Sequence, residues 1–165
     1  TALEHPDLVE RLILISASPG IGDDEERRLR REGDEALADR IEEIGVERFL
    51  DEWLDSPITA TDHLDEAARL VDRTVRMENT AVGLAAALRG LGQGSQPYVG
   101  DRITELTIPV LTISGARDAK YASLAAATAS GAQDGRHVSI DGAGHNVVLD
   151  APSRLRLIIA EFCAT

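Results

Sequence analysis

The apolar positions of the chain fall into three regimes. Residues 1–5 read as the tail of a helix cut at Pro6, because the residue before a proline avoids helical geometry. Residues 11–16 (Arg-Leu-Ile-Leu-Ile-Ser) are an uninterrupted apolar run bounded by Ser18, Pro19 and Gly20. That run predicts a short strand buried on both faces. From residue 23 to about 91 the apolar positions recur at helical spacing instead. Asp23 or Asp24 caps a first helix to about Ile44, with Leu29, Ala36, Leu37 and Ile41 as its stripe, and Gly45 breaks it. Val46, Phe49, Leu50, Trp53 and Leu54 predict a second helix, stopped by Pro57. Asp62 or Asp65 opens a third over Leu64, Ala67, Ala68, Val71 and Val75. Asn79 or Thr80 caps a fourth, Ala81 to Leu91, ending in Gly90 and Gly92.

Beyond residue 105 strands and helices alternate. Residues 109–114 are a strand, 115–118 a turn, 119 to about 130 a helix, 137–141 a strand and 142–146 a glycine-rich turn. Asp150 is read as the N-cap of a final helix with Pro152 in its first turn, running to Cys163. Strands that alternate with helices pair in parallel through right-handed crossovers. The expected fold class is therefore α/β, three parallel strands with flanking helices, and a separate helical layer.

Charge sharpens this division. The net charge is −12, and residues 23–80 hold 19 of the 29 acidic residues but 9 of the 17 basic ones. So acidic a chain is not expected to bind nucleic acid, which needs a basic patch to displace counterions, nor an anionic membrane. No apolar run approaches the roughly 20 residues of a membrane helix. The first ten residues have neither the basic nor the apolar region of a signal peptide, so the cytoplasm is the expected compartment. The one cysteine excludes an internal disulfide and a multi-cysteine metal site. His63, among Asp62, Asp65 and Glu66, is read as part of a solvated face. Gly90-Leu-Gly92-Gln-Gly94 follows a helix, so it is read as a terminator and loop instead of a dinucleotide fingerprint. No metal and no cofactor are expected.

Two polar residues fall just past the carboxyl ends of predicted parallel strands, Asp118 and His145, and that edge of an open α/β sheet is where ligands bind. A carboxylate there holds an imidazole in one tautomer and stabilises its charged form. Gly142 and Gly144 would let the backbone turn sharply and approach a substrate. Spacing alone leaves a second reading open: Asp118 caps the following helix and His145 is a turn residue.

The string Ile108-Pro-Val-Leu-Thr-Ile-Ser-Gly-Ala-Arg-Asp118, then Gly-Ala-Gly-His145 and Ala151-Pro152, resembles the C-terminal half of the α/β-hydrolase superfamily. Residues 5–15 are similar to that family's link from the nucleophile helix into its sixth strand. The resemblance implies that residues 1–20 and 105–165 are a partial hydrolase core and 21–104 a helical lid, with Asp118 and His145 as acid and base in the order Ser…Asp…His. More narrowly, Gly115-Ala-Arg-Asp118-Ala-Lys120-Tyr121, Gly144-His145-Asn146, the segment 83–88 and Gln96-Pro97 resemble the 2-succinyl-6-hydroxy-2,4-cyclohexadiene-1-carboxylate synthases of menaquinone biosynthesis. That family eliminates pyruvate, which implies a small carboxylated substrate and a serine, activated by histidine, acting as base. Arg76 aligns with a lid arginine that meets a substrate carboxylate, a task suited to its bidentate fork; on its own it reads equally as a solvated arginine beside Glu78. Trp53 aligns with a lid tryptophan, and on its own reads as an apolar anchor. Tyr121 is placed near the triad as a further substrate-binding candidate.

The family's Gly-x-Ser-x-Gly elbow occurs nowhere in the 165 residues. The nearest imitation, Ser16-Ala-Ser18-Pro-Gly20, lacks the first glycine and carries a restricting proline. The expectation is that the serine and both oxyanion donors belong to an N-terminal half preceding Thr1, and that the 165 residues alone are inactive. The alternatives are a general α/β-hydrolase esterase or C–C hydrolase with the same half missing, and a non-catalytic remnant that binds a partner by its open sheet edge.

Overall fold

The computed structural model of the chain describes residues 1–54, 56 and 64–164. Pro57, Asp62 and His63, read above as a helix stop, a helix start and a solvated site, lie outside the described residues. The chain forms two compact units, one of residues 1–19 and 99–165 and one of residues 20–98. Residues 99–104, grouped by the sequence with the lid, belong to the first: Ile103 packs with Leu106, Val110 and Ala132.

The first unit is built on a three-stranded parallel sheet in the order β1 (Leu12–Ile15), β2 (Val110–Gly115), β3 (Gly135–Ile140). Leu12 pairs with Val110 and Ile15 with Ile113; Val110 pairs with Gly135 and Gly115 with Ile140. β2 is central and every residue in it is buried. Its alternating side chains serve two layers. Leu111 and Ile113 join Ile140, Leu155, Ile158 and Phe162, while Val110 packs with Ile103, Leu106 and Ala132. The hydroxyl of Thr112, buried among these, donates to the Ala125 carbonyl at 2.9 Å, which satisfies it inside the core. β1 is only half-buried, contrary to the reading of residues 11–16 as buried on both faces, because it pairs with β2 along one edge alone.

Three helices accompany the sheet: α4 (Ala119–Gly131), the single turn α5 (Val147–Asp150) and α6 (Pro152–Ala164). The N-terminal helix tail reduces to one turn closed on the Thr1 carbonyl, followed by a 3-10 turn at Pro6–Leu8. The last helix starts at Pro152, two residues past Asp150, which the sequence reads as its N-cap. Asn146 caps α5 by accepting from the Leu149 amide, Asp150 closes that turn, and its Oδ2 accepts from the Gly144 amide.

The second unit holds α1 (Asp24–Leu54), α2 (Glu66–Met77) and α3 (Ala81–Leu91). Gly45 leaves helical geometry (φ 78°, ψ 168°), so α1 is two helices across a kink at the residue the sequence singles out. Its buried stripe is Asp34, Ala38 and Ile41, with Leu37 half-buried; Leu29 and Ala36, expected inside, are exposed. Asp34 takes an inward place because Arg30 donates to its Oδ1 at 2.7 Å. Ile41, Phe49 and Leu50 form the centre of this unit, with Trp53, Leu84 and Leu88 against them. Arg89 of α3 reaches Glu35, Asp39 and Glu42 on α1, which ties the two helices by charge as well. Asp65 and Thr80 are the caps of α2 and α3, accepting from the amides of Ala68 and Gly83.

Candidate active site

The site is assembled from two strand-to-helix connections at the carboxyl end of the sheet. β2 ends at Gly115, and the chain turns through Ala116 and Arg117 to Asp118, the N-cap of α4. β3 ends at Ile140, and Gly142, at φ 75°, reverses the chain toward His145. A left-handed φ of that size favours glycine over any residue with a Cβ. Gly115 is required for a different reason. A Cβ there would lie 2.1 Å from the Gly144 carbonyl oxygen and 2.4 Å from that of Ala143, so the two connections touch backbone to backbone.

That contact brings His145 to Asp118. The imidazole Nδ1 lies 2.6 Å from Asp118 Oδ2, while Asp118 Oδ1 accepts from the Tyr121 amide at 3.2 Å. Both readings of Asp118 hold together, since one oxygen caps the helix and the other meets the imidazole. The carboxylate is largely buried (14% exposed) and the imidazole is 31% exposed. A hydrogen bond from Nδ1–H to the carboxylate sets the tautomer with its lone pair on Nε2, the form of a general base. The Tyr121 ring lies 4.4 Å from the imidazole, centroid to centroid, tilted by 59°, and Lys120 Nζ stands 5.8 Å from the tyrosine centroid. Tyr121 therefore forms a wall for His145.

The structure thus brings together Asp118, His145 and Tyr121. Arg76 and Trp53 belong to the helical unit. Arg76 sits in the last turn of α2, one residue before its end and not in the turn that follows, and its Nε donates to Asp72 Oδ2 at 2.7 Å. Trp53 packs on Phe49, ring centroids 5.4 Å apart, in the core of its own unit. Ser16, just past β1, holds φ 44°, an uncommon value for a residue other than glycine. Its Oγ is buried and has no partner among the described residues. No helix begins between β1 and Asp24, so the Ser16–Gly20 stretch lacks the strand-to-helix turn of a nucleophile elbow. Asp150 was missed as a member of this neighbourhood. Its side chain is 4% exposed, Oδ2 accepts from the Gly144 amide at 2.6 Å, and Arg117 Nη2 lies 3.8 Å from the same oxygen. Among the described residues no group of three or more His, Cys, Asp or Glu is placed to hold a metal, and no helix is long and apolar enough to cross a membrane.

No family model matches the chain. A Bacillus subtilis (strain 168) protein provisionally named 2-succinyl-6-hydroxy-2,4-cyclohexadiene-1-carboxylate synthase is 35% identical over 162 residues, 98% of this chain and 59% of that protein. A Klebsiella pneumoniae (strain 342) protein named as the same synthase is 29% identical over 93% of this chain and 58% of its own. Among solved structures, MenH from S. aureus superposes with a TM-score of 0.90 at 27% identity, over 93% of this chain and 58% of that one. A thermophilic esterase from Thermogutta terrifontis superposes with a TM-score of 0.82 at 23% identity, over 99% of this chain and 58% of that one. The chain therefore spans less than two thirds of the length of these proteins.

Proposed function

We propose that this chain, which carries the C-terminal part of an α/β-hydrolase fold, supplies the acid and base of a 2-succinyl-6-hydroxy-2,4-cyclohexadiene-1-carboxylate synthase. The observation that carries the reading is the 2.6 Å bond from His145 Nδ1 to Asp118 at the carboxyl ends of two parallel strands. The names of the relatives support this synthase over a general hydrolase.

In this mechanism Asp118 fixes the imidazole and stabilises its cation. His145 Nε2 takes the proton of a serine that lies outside these 165 residues, and the serine oxygen abstracts a proton from the substrate. The electron pair of that C–H bond becomes a new C=C bond as pyruvate leaves as its enolate, and the His145 imidazolium returns a proton to it. Oxyanion donors come, like the serine, from the remainder of the fold. Residues 20–98 serve as the lid. There Arg76, whose Nε is held along α2 by Asp72, meets a substrate carboxylate with its two terminal nitrogens. Tyr121, which walls His145, offers the substrate an apolar side.

The test joins the part of the Bacillus subtilis relative that this chain does not span to Thr1 and follows pyruvate release. The joined protein is expected to turn over and the 165 residues alone are not. Turnover by the 165 residues alone, surviving Ser16→Ala and Ser18→Ala, contradicts the assignment. In the joined protein Arg76→Ala is expected to weaken transition-state binding of the carboxylated substrate by about 1.5–3 kcal/mol, the range for a hydrogen bond to a charged group. Arg76→Lys restores part of that loss. A neutral ester should be insensitive to both changes, and equal losses on the two substrates would remove Arg76 from the site.

A further inference from the structure

We infer that Asp150 is a positioning residue that sets the His145–Asp118 hydrogen bond by clamping together the two connections that carry it. The inference rests on the dyad of the proposed function but not on its substrate.

Residues 143 and 144, immediately before His145, are held from three sides. The Gly144 carbonyl lies against the Cα of Gly115. The Ala143 carbonyl accepts from the Arg117 amide at 2.9 Å. The Gly144 amide donates to Asp150 Oδ2 at 2.6 Å, a short bond to an acceptor carrying charge. Two of these three holds come from residues just before Asp118, and the third comes from Asp150. Asp150 also faces the Asp118 side, since Arg117 Nη2 is 3.8 Å from the same oxygen. One buried carboxylate therefore touches the residue before His145 and the residue before Asp118.

The energetics favour a clamp over a passive surface acid. A carboxylate that is 4% exposed needs donors and a counter-charge, and the Gly144 N–H and the Arg117 guanidinium are among them. Removing the carboxylate leaves the Gly144 amide without this acceptor and releases Arg117 at once. The hydrogen bond to Asp118 is then set by fewer constraints, and small displacements of a catalytic base are costly. Asp150 reaches back across a single turn: Asn146 caps α5 at one end and Asp150 closes it at the other. The clamp is thus local and independent of the helical unit.

The readout is the Nδ1 proton of His145, followed by NMR in the chain labelled at histidine. In the unaltered chain this proton is expected downfield and slow to exchange with water. Asp150→Ala is expected to speed its exchange at least about tenfold, the scale of losing one hydrogen bond to a charged group. Asp150→Asn keeps an oxygen acceptor for the Gly144 amide and is expected to stay near the unaltered rate. Ile158→Val, in the α6 core, controls for general loosening and is expected to leave the rate unchanged. If Asp150→Ala does not fold, Asp150→Glu decides, because the longer side chain keeps the charge but misplaces the oxygen. Faster exchange in Asp150→Glu than in Asp150→Asn supports the clamp. Exchange within twofold of the unaltered rate in a folded Asp150→Ala, or in Asp150→Glu if it replaces it, overturns the clamp, as does equal acceleration by Ile158→Val. Absence of the downfield proton in the unaltered chain overturns the dyad itself, and the clamp with it.

Discussion

Asp118 uses its two carboxylate oxygens for two tasks, and substitution separates them. Asparagine keeps an acceptor for the Tyr121 amide and ranks with aspartate as a helix cap, so Asp118→Asn is expected to change stability by only a few tenths of a kcal/mol. It no longer holds His145 in one tautomer, and turnover of a joined enzyme is expected to fall by about 10^4. Thermal melts and pyruvate release on one preparation check both halves. Gly115→Ala is expected to impair both stability and the dyad. Its Cβ meets a backbone carbonyl at 2.1 Å, so the connections must part, at a cost of about 1–3 kcal/mol measured by urea unfolding. Asp118 and His145 were legible in the sequence because each follows a β-rich run and a glycine turn. Asp150 was not: Asp-Ala-Pro before an apolar helical stretch is also a good capping signal, and nothing local says that the carboxylate turns back to Gly144 instead.

Among the elements, α2 shows the limit of periodicity. Its sequence places Ala67, Ala68, Val71 and Val75 at helical spacing as an apolar stripe. In the structure no residue of α2 is buried, and Leu70, Val71 and Val75 are 65%, 63% and 58% exposed. The half-buried side is the polar one, with Ala68, Asp72, Arg73 and Arg76, and Arg73 pairs with Asp51 of α1 at 2.8 Å. Spacing reports that a helix has two faces; which face meets its own unit depends on long-range partners. Val71→Ser is accordingly expected to shift the stability of the 165 residues by no more than about 0.5 kcal/mol, as at other surface sites. Thr80→Ala, which removes a cap, is expected to cost about 1 kcal/mol. Paired urea titrations rank the two. The strands, by contrast, were legible because a short β-rich run between turn residues admits few alternatives, although the half-burial of β1 depends on its neighbours and not on its own residues.

For the molecule as a whole, the acidic surface is organised by arginines. Hydrogen bonds from Arg102 to Glu4, Arg28 to Glu25 and Arg40 to Glu52 hold those carboxyls below the ordinary glutamate range. Their folded values lie under the unfolded value of 4.5, so the stabilisation is present above 4.5 and is lost as pH falls through the folded values. All three are solvent-exposed, so the effect is expected to be small and to shrink in high salt. Urea unfolding between neutral pH and pH about 3, at two ionic strengths, checks this, and Glu52→Gln should flatten the acid limb. The names of the relatives do not say which residues act, and the 2.6 Å contact of His145 with Asp118 is what supports the proposed dyad. The most direct test is the turnover of His145→Ala in the joined protein. Loss of activity by several orders of magnitude, with the fold intact by circular dichroism, is the expected result. Pyruvate release within tenfold of the unaltered protein would contradict the assignment of His145 as the base.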